Sequence, residues 1–262
     1  MTSSHIDDTE FHALRQLSAT LGADPLRTQG AGGNTSIKRN GVMWIKASGT
    51  WLADALAQDV MTPVRLDPLR KAIADRDPRA AAAVDFVDAQ LNANGLRPSI
   101  ETSVHAIIPS PVVGHIHCVN TIALAVRHDG ESLARERLRP HADVALAFIS
   151  YRKPGLPLAH AIAERLTKDT NVFVLANHGL VVAGETVAEV ADRIEGVCGA
   201  FFAPARTAPQ ADLDKLVSIV EGSDYRLPHD LATHAVALDS KSLAIARRGS
   251  LYPDHVVFLG PG

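Results

Sequence analysis

The chain has 262 residues, 46% hydrophobic and 21% charged, enough for one large α/β domain or two small ones. A formal net charge of −3 argues against a nucleic-acid binder, which needs a basic face. Only Cys118 and Cys198 are present, too few for a disulfide scaffold, which fits a reducing, cytoplasmic setting.

In chain order, MTSSHIDDTEFHAL lacks the basic-then-apolar layout of a secretory signal. Residues 8–22 place Phe11, Leu14, Leu17 and Leu21 at helical spacing, with Gly22 where a helix C-cap would sit. RTQGAGGNTSIK (27–38) is a glycine-rich turn with two readings. It is a tight turn that uses glycine for positive φ, or an oxyanion nest built from the Gly33 N–H, the Asn34 amide and the Ser36 hydroxyl. Thr35 stands where a dinucleotide loop needs its third glycine, and no G-K-[ST] follows, which excludes a P-loop. Arg39-Asn40-Gly41 predicts the turn of a hairpin over 35–48. At its far end Ser48-Gly49-Thr50 offers further donors. Lys46, two residues earlier, adds positive charge if it points inward, although a surface lysine is the simpler reading.

Residues 68–95 read as an Ala-rich helical stretch, and 101–108 as a helix stopped by Pro109 and Pro111. Glu101 stands at the start of that helix, where its dipole favours a carboxylate. His105, one turn on, either pairs with it or faces the core. VVGHIHCV (112–119) alternates, so His115 and His117 share one face, close enough to chelate a divalent metal. An H-x-H pair is also a common packing feature, so support must come from elsewhere. Residues 140–151 fit strand or helix, 156–166 a helix, 171–179 a buried strand that ends at His178, and 186–202 a helix. ALAFIS and NVFVLA have the lengths of core elements, not of a bilayer span. Residues 203–230, richer in Pro and polar residues, mark the boundary of a short appendage, 231–262, that closes on the strand-like VVFLGPG. The hairpin argues against a pure Rossmann sheet and for an α/β protein with a largely antiparallel central sheet. Three neutral imidazoles with an open position make a catalytic zinc arrangement, and imidazole favours zinc over magnesium or calcium. Glu101 is the nearest carboxylate in sequence to serve as proton acceptor.

GGNTS, the SG of IKASGT, ETSVH…GHIH and ANHGLVVAGETVAEV occur in that order, with YRKPGLPLAHAIAERL before the last. This ordered set resembles the class II aldolase/adducin family over residues 10–200. The resemblance implies a three-layer class II aldolase-like fold over residues 1–205, with 206–262 as an extension packing on it. It implies His115, His117 and His178 as ligands of zinc or another divalent transition metal. Glu101 is implied as the acid/base, able to coordinate the metal before substrate binds, with its pKa raised once substrate and apolar walls exclude water. Gly33, Asn34, Ser48, Gly49 and Ser99 match phosphate-binding positions. Ile100 replaces a second serine, removing one donor, which Lys46 could offset. The tyrosine that some members lend from a neighbouring subunit as an acid is assigned no position in this sequence; Tyr151 and His255 are expected to be structural.

The implied activity is a class II (zinc-dependent) aldolase, a lyase that cleaves a C–C bond of a small, sugar-derived, phosphorylated ketose. A decarboxylase or sugar epimerase on the same scaffold, a three-histidine hydrolase, and a non-catalytic adducin-like interaction module are the alternatives. Members of the family are usually homotetramers, with no membrane or nucleic-acid partner implied. The spacing of Glu101 and His115 and the tail YRLPHD…RRGSLYPDHVVFLGPG also resemble the aldolase part of bifunctional aldolase/short-chain dehydrogenases; no dehydrogenase half is expected within these 262 residues.

Overall fold

The computed structural model describes residues 8–260; the reading of the N-terminus against a signal falls largely on residues 1–7, outside that range. Helix α1 (Asp8–Ala23) precedes a hairpin of β1 (Asn34–Arg39) and β2 (Val42–Lys46). Its two turn residues, Asn40 and Gly41, take φ of 50° and 77°, the left-handed pair that suits the twist of a two-residue hairpin. There follow β3 (Met61–Arg65), α2 (Leu66–Ala74), α3 (Thr102–Ile107), β4 (Val112–Ile116), α4 (Val119–Ala125) and α5 (Gly130–Leu138). Next come β5 (Leu146–Ile149), α6 (Leu156–Ala163), β6 (Val172–Leu175), β7 (Gly179–Gly184) and α7 (Val187–Ala200). Among the described residues these strands form one sheet of seven, in the order β3-β2-β1-β4-β7-β6-β5. Every neighbouring pair is antiparallel except β5–β6.

Strand alternation divides the core between the two faces of the sheet. Ile37, Val112, Ile116, Val172, Val174, Leu180 and Val182 pack with Leu14 of α1, Leu138 of α5 and Ile194 of α7. Val113, Phe173, Leu175, Val181 and Ala183 pack with Val104 and Ile108, from α3 and just beyond it, and with Leu158 and Ile162 of α6. Fully burying each such side chain contributes about 1.5–3 kcal/mol. Contacts divide the chain into two compact units, Met1–Phe202 and Ala203–Gly262. The second holds α8 (Leu213–Val220), α9 (Ala235–Leu238), α10 (Ser240–Ala246) and α11 (Pro253–Leu259).

Four expectations change. The Ala-rich stretch is not a long helix: α2 ends at Ala74, and Arg76 and Ala83 take positive φ of 57° and 55°. Asp77 accepts from the Arg79 N–H and Pro78 opens a short 3-10 turn. Ala80, Ala83 and Phe86 are thereby buried against Leu69 and Ile73, a packing gain that outweighs alanine's small helix preference. The segment 171–179 is a strand only to Leu175, because a turn must deliver the chain into β7. Of VVFLGPG, Val256–Leu259 belong to the helix α11 instead of a strand, with Pro253 in its first turn, where the missing N–H costs nothing.

Gly22, finally, is not a C-cap. It lies inside α1, where a Cβ would overlap the backbone of Leu52 and Ala53 in the 3-10 turn Leu52–Leu56. Gly22→Ala is therefore expected to lose stability by about 1–3 kcal/mol through overpacking, instead of gaining the roughly 1 kcal/mol that alanine brings to an open helix. A urea midpoint that rises in the variant would refute this close approach.

Candidate active site

β4 is the central support. His115 lies in the strand, opposite Asn34 of β1 and Val181 of β7, and His117 follows just past its end. Both share the face of Val113, on which α3 packs. His178 comes from the β6–β7 hairpin, whose Leu175–Gly179 pair is joined by Ala176, Asn177 and His178. Asn177 takes φ of 54°, and the His178 N–H donates to the Leu175 carbonyl at 3.1 Å. Gly179 lets this hairpin close against β4, since a Cβ there would overlap the Ile116 carbonyl oxygen. Glu101 occupies the N-cap position of α3.

These elements bring four side chains together. Glu101, His115, His117 and His178 are 6%, 1%, 5% and 2% exposed. Glu101 Oε2 lies 3.2 Å from His115 Nε2, and Oε1 lies 3.3 Å from His178 Nε2. His117 Nε2 is 3.1 Å from His115 Nε2. One candidate ligand atom from each residue falls within 4.8 Å of all the others. Donors about 2.0–2.1 Å from a tetrahedral ion stand about 3.3–3.4 Å from one another, so the cluster has the dimensions of a coordination shell. The carbonyl of Leu180, 3.0 Å from His115 Nδ1, can only accept, so the proton sits on Nδ1 and the Nε2 lone pair faces the cluster. The donor set fits a divalent metal.

Burial pushes the Glu101 carboxyl up, but His115, His178 and His117 outweigh it and hold the group well below the usual carboxylate range. The expected rise applies to the substrate-bound site; without substrate the neighbouring histidines oppose the apolar walls. Asn34 Nδ2 adds a bond to Oε2 at 3.0 Å.

The glycine turn lies alongside. Gly33 has φ of 64°, and a Cβ there would fall 2.8 Å from Thr28 Cγ2 and 2.9 Å from the His115 carbonyl oxygen, so only glycine lets the turn lie against β4. The Asn34 side-chain amide is committed to Glu101 and, at 3.3 Å, to Ser99 Oγ. Ser99 also accepts from the Glu101 N–H at 3.2 Å. Ser48 and Gly49 are exposed, with Gly49 at φ of 77° and open space around it. Ser36 does not join the nest: it is fully buried, with Oγ 2.7 Å from His105 Nδ1. This bond also settles His105, which faces the core and does not pair with Glu101.

Lys46 is not a surface residue. It is 2% exposed, and Nζ donates to the carbonyls of Ala31, at 2.9 Å, and Thr50, tying the glycine turn to the Ser48–Thr50 turn. Burial lowers its pKa to about 8, against the opposing charge of Glu101. Ile100 and Tyr151 are more than half exposed. His255 Nδ1 accepts from the Leu251 N–H at 3.2 Å, a local structural bond. Sequence reasoning missed Lys38, whose buried Nζ donates to the Ser110 carbonyl at 2.7 Å. Its only signal was the strand alternation that sets it on the face of Asn34 and Ser36.

A mostly antiparallel α/β sheet bearing a buried carboxylate among three imidazoles defines a protein with a candidate metal-binding centre. Residues 14–201 match the family model for the class II aldolase and adducin N-terminal domain, and the chain belongs to that family. Family membership supports a lyase-type enzyme. The N-terminal class II aldolase domain of a conserved protein from Thermoplasma acidophilum is similar, with 25% identity and a TM-score of 0.64 over 76% of this chain and 95% of that one. A sugar-phosphate aldolase from Thermotoga maritima shares the fold, with a TM-score of 0.58 at 17% identity over 84% of this chain and 97% of that one. An uncharacterized oxidoreductase, YuxG of Bacillus subtilis (strain 168), is 29% identical over 181 residues, 64% of this chain. The chain spans 26% of that relative's length. Among the described residues no helix is long and apolar enough to cross a membrane.

Proposed function

We propose that the protein is a divalent-metal-dependent aldolase, with zinc the expected metal, that cleaves a C–C bond of a small, phosphorylated, sugar-derived ketose. The observation that carries this reading is the convergence of Glu101, His115, His117 and His178, buried beside a glycine turn. In this reading the three histidines hold the cation, with Glu101 as a fourth ligand until substrate enters. When bound, the metal supplies a Lewis acid that polarises the substrate carbonyl and stabilises the negative charge that develops there. Glu101 then carries the proton. Ionised, hydrogen-bonded by Asn34 and shielded from bulk water, it accepts a proton from the substrate hydroxyl as the C–C bond breaks and returns one to the carbon fragment.

Gly33, Ser48, Gly49 and Ser99 line the anion end, with Asn34 orienting Ser99 and Glu101 together. Lys46 braces both turns and adds positive charge. The catalytic domain is assigned to residues 1–205, with 206–262 as an extension, and the working form to a cytoplasmic homotetramer. Ile100, exposed where the resemblance calls for a serine, weakens the phosphate end and favours as second reading a decarboxylase acting on a keto acid.

A zinc-loaded sample screened against ketose phosphates and keto acids tests the reading: aldehyde release from a ketose phosphate is expected. Carbon dioxide from a keto acid instead would move the protein to the second reading. Borohydride added during turnover should leave the protein mass unchanged, and a trapped lysine adduct would contradict metal-based chemistry.

A further inference from the structure

The two faces of β1 are used differently. Thr35 and Ile37 point toward α1, where Thr35 Oγ1 lies 2.7 Å from Ser18 Oγ and Ile37 joins the core with Leu14. Asn34, Ser36 and Lys38 point the other way, under α3, and each reaches the segment above it. Asn34 Nδ2 donates to Glu101 Oε2 at 3.0 Å, Ser36 Oγ lies 2.7 Å from His105 Nδ1, and Lys38 Nζ donates to the Ser110 carbonyl at 2.7 Å. The spacings match: same-face residues of a strand are about 6.4–6.8 Å apart, and residues four apart on a helix rise about 6 Å.

This match has work to do. α3 has only six residues and no side-chain cap at Glu101, too short a helix to hold its own place. Val104 and Ile108 give it apolar contacts, but these tolerate sliding, whereas a buried hydrogen bond fixes position along the strand. His105 and Ser36 are both fully buried, and His105 Nε2 has no hydrogen-bond partner among the described residues, so the bond to Ser36 is the ring's polar anchor. Burial, with Lys38 and His115 nearby, holds His105 well below its ordinary pKa, so it serves as a neutral strut.

We infer that the Ser36–His105 hydrogen bond is a positioning device that sets α3 in register on β1, so that Glu101 meets the histidines at bonding distance. The inference rests on the reading of Glu101 as metal ligand and proton carrier. Ser36 and His105 touch neither metal nor substrate; they act through Glu101.

Cobalt(II) binding tests this with a readout that does not depend on turnover. Wild-type protein should take up one equivalent and show a visible spectrum that reports the ligand set. Ser36→Ala and His105→Leu should still bind one equivalent, with affinity lowered about 10–100-fold and the spectrum altered. In turnover, kcat should fall by a similar factor while KM changes less than about threefold. His105→Asn places an amide where Nδ1 stands and should restore spectrum and kcat to within about threefold of wild type. If His105→Leu does not fold, Ser36→Ala, which removes one oxygen atom, carries the test. Affinity, spectrum and kcat unchanged in folded Ser36→Ala overturn the inference, as does a His105→Asn variant no better than His105→Leu. A wild type that binds no cobalt would instead sink the metal reading itself, so the two failures are told apart.

Discussion

Glu101→Gln is expected to keep the metal and lose about 10²–10⁴-fold in turnover, the range that a positioned acid or base contributes. The amide has nearly the shape of the carboxylate. Its oxygen can still accept from Asn34 Nδ2, so α3 has no reason to shift. What it lacks is an ionised oxygen that can take up a proton and give it back. The wild-type group is held ionised, despite burial, by the neighbouring histidines and the Asn34 bond, so it stands ready as the acceptor. His115, His117 and His178 remain in place, so metal analysis should return the same stoichiometry for variant and wild type, with affinity reduced by the loss of one charged ligand. Full turnover in Glu101→Gln would remove this residue from proton transfer. Loss of metal together with activity would make it chiefly a ligand.

Much of this site was readable from the chain because its parts obey local rules. His115 and His117 share a face by the period of a strand, and Glu101 begins a helix just before prolines that stop it. The Asn40-Gly41 turn fixed the hairpin, and with it the antiparallel character of that part of the sheet. What could not be read depends on neighbours distant in sequence. Lys46 has the composition of a surface residue; its burial follows from two turns folding over it, and the carbonyls of Ala31 and Thr50 make that burial tolerable. Ser36 stood in a plausible nest by spacing, but strand geometry turns it under α3 toward His105, 69 positions away. Gly22 misled for the same reason: its role is set by the backbone of Leu52 and Ala53, which no helix-ending rule contains. The Ala-rich stretch failed because propensity is worth tenths of a kcal/mol per residue, less than burying Phe86.

Removal of the metal is expected to abolish turnover altogether, and zinc to restore it. Four buried donor groups, all within 4.8 Å of one another and with neighbouring pairs 3.1–3.3 Å apart, crowd electron-rich atoms together with little water to separate them, a costly arrangement that a cation relieves. A cation that binds the folded chain and not the unfolded one stabilises it by about 4 kcal/mol at a thousandfold excess over Kd. For a chain of this size that corresponds to a rise in Tm of about 10 °C. Chelator-treated protein should therefore melt lower as well as lose activity, and both should return on titration with zinc. His178→Ala removes one donor from a turn, where the vacated space is open to relaxation, and should abolish the zinc-dependent rise in Tm while the metal-free Tm stays within a few degrees of wild type. The melting experiment separates two explanations that an activity assay merges. Chelator-sensitive turnover without a shift in Tm would place the essential metal outside this cluster, and a Tm shift that survives His178→Ala would do the same.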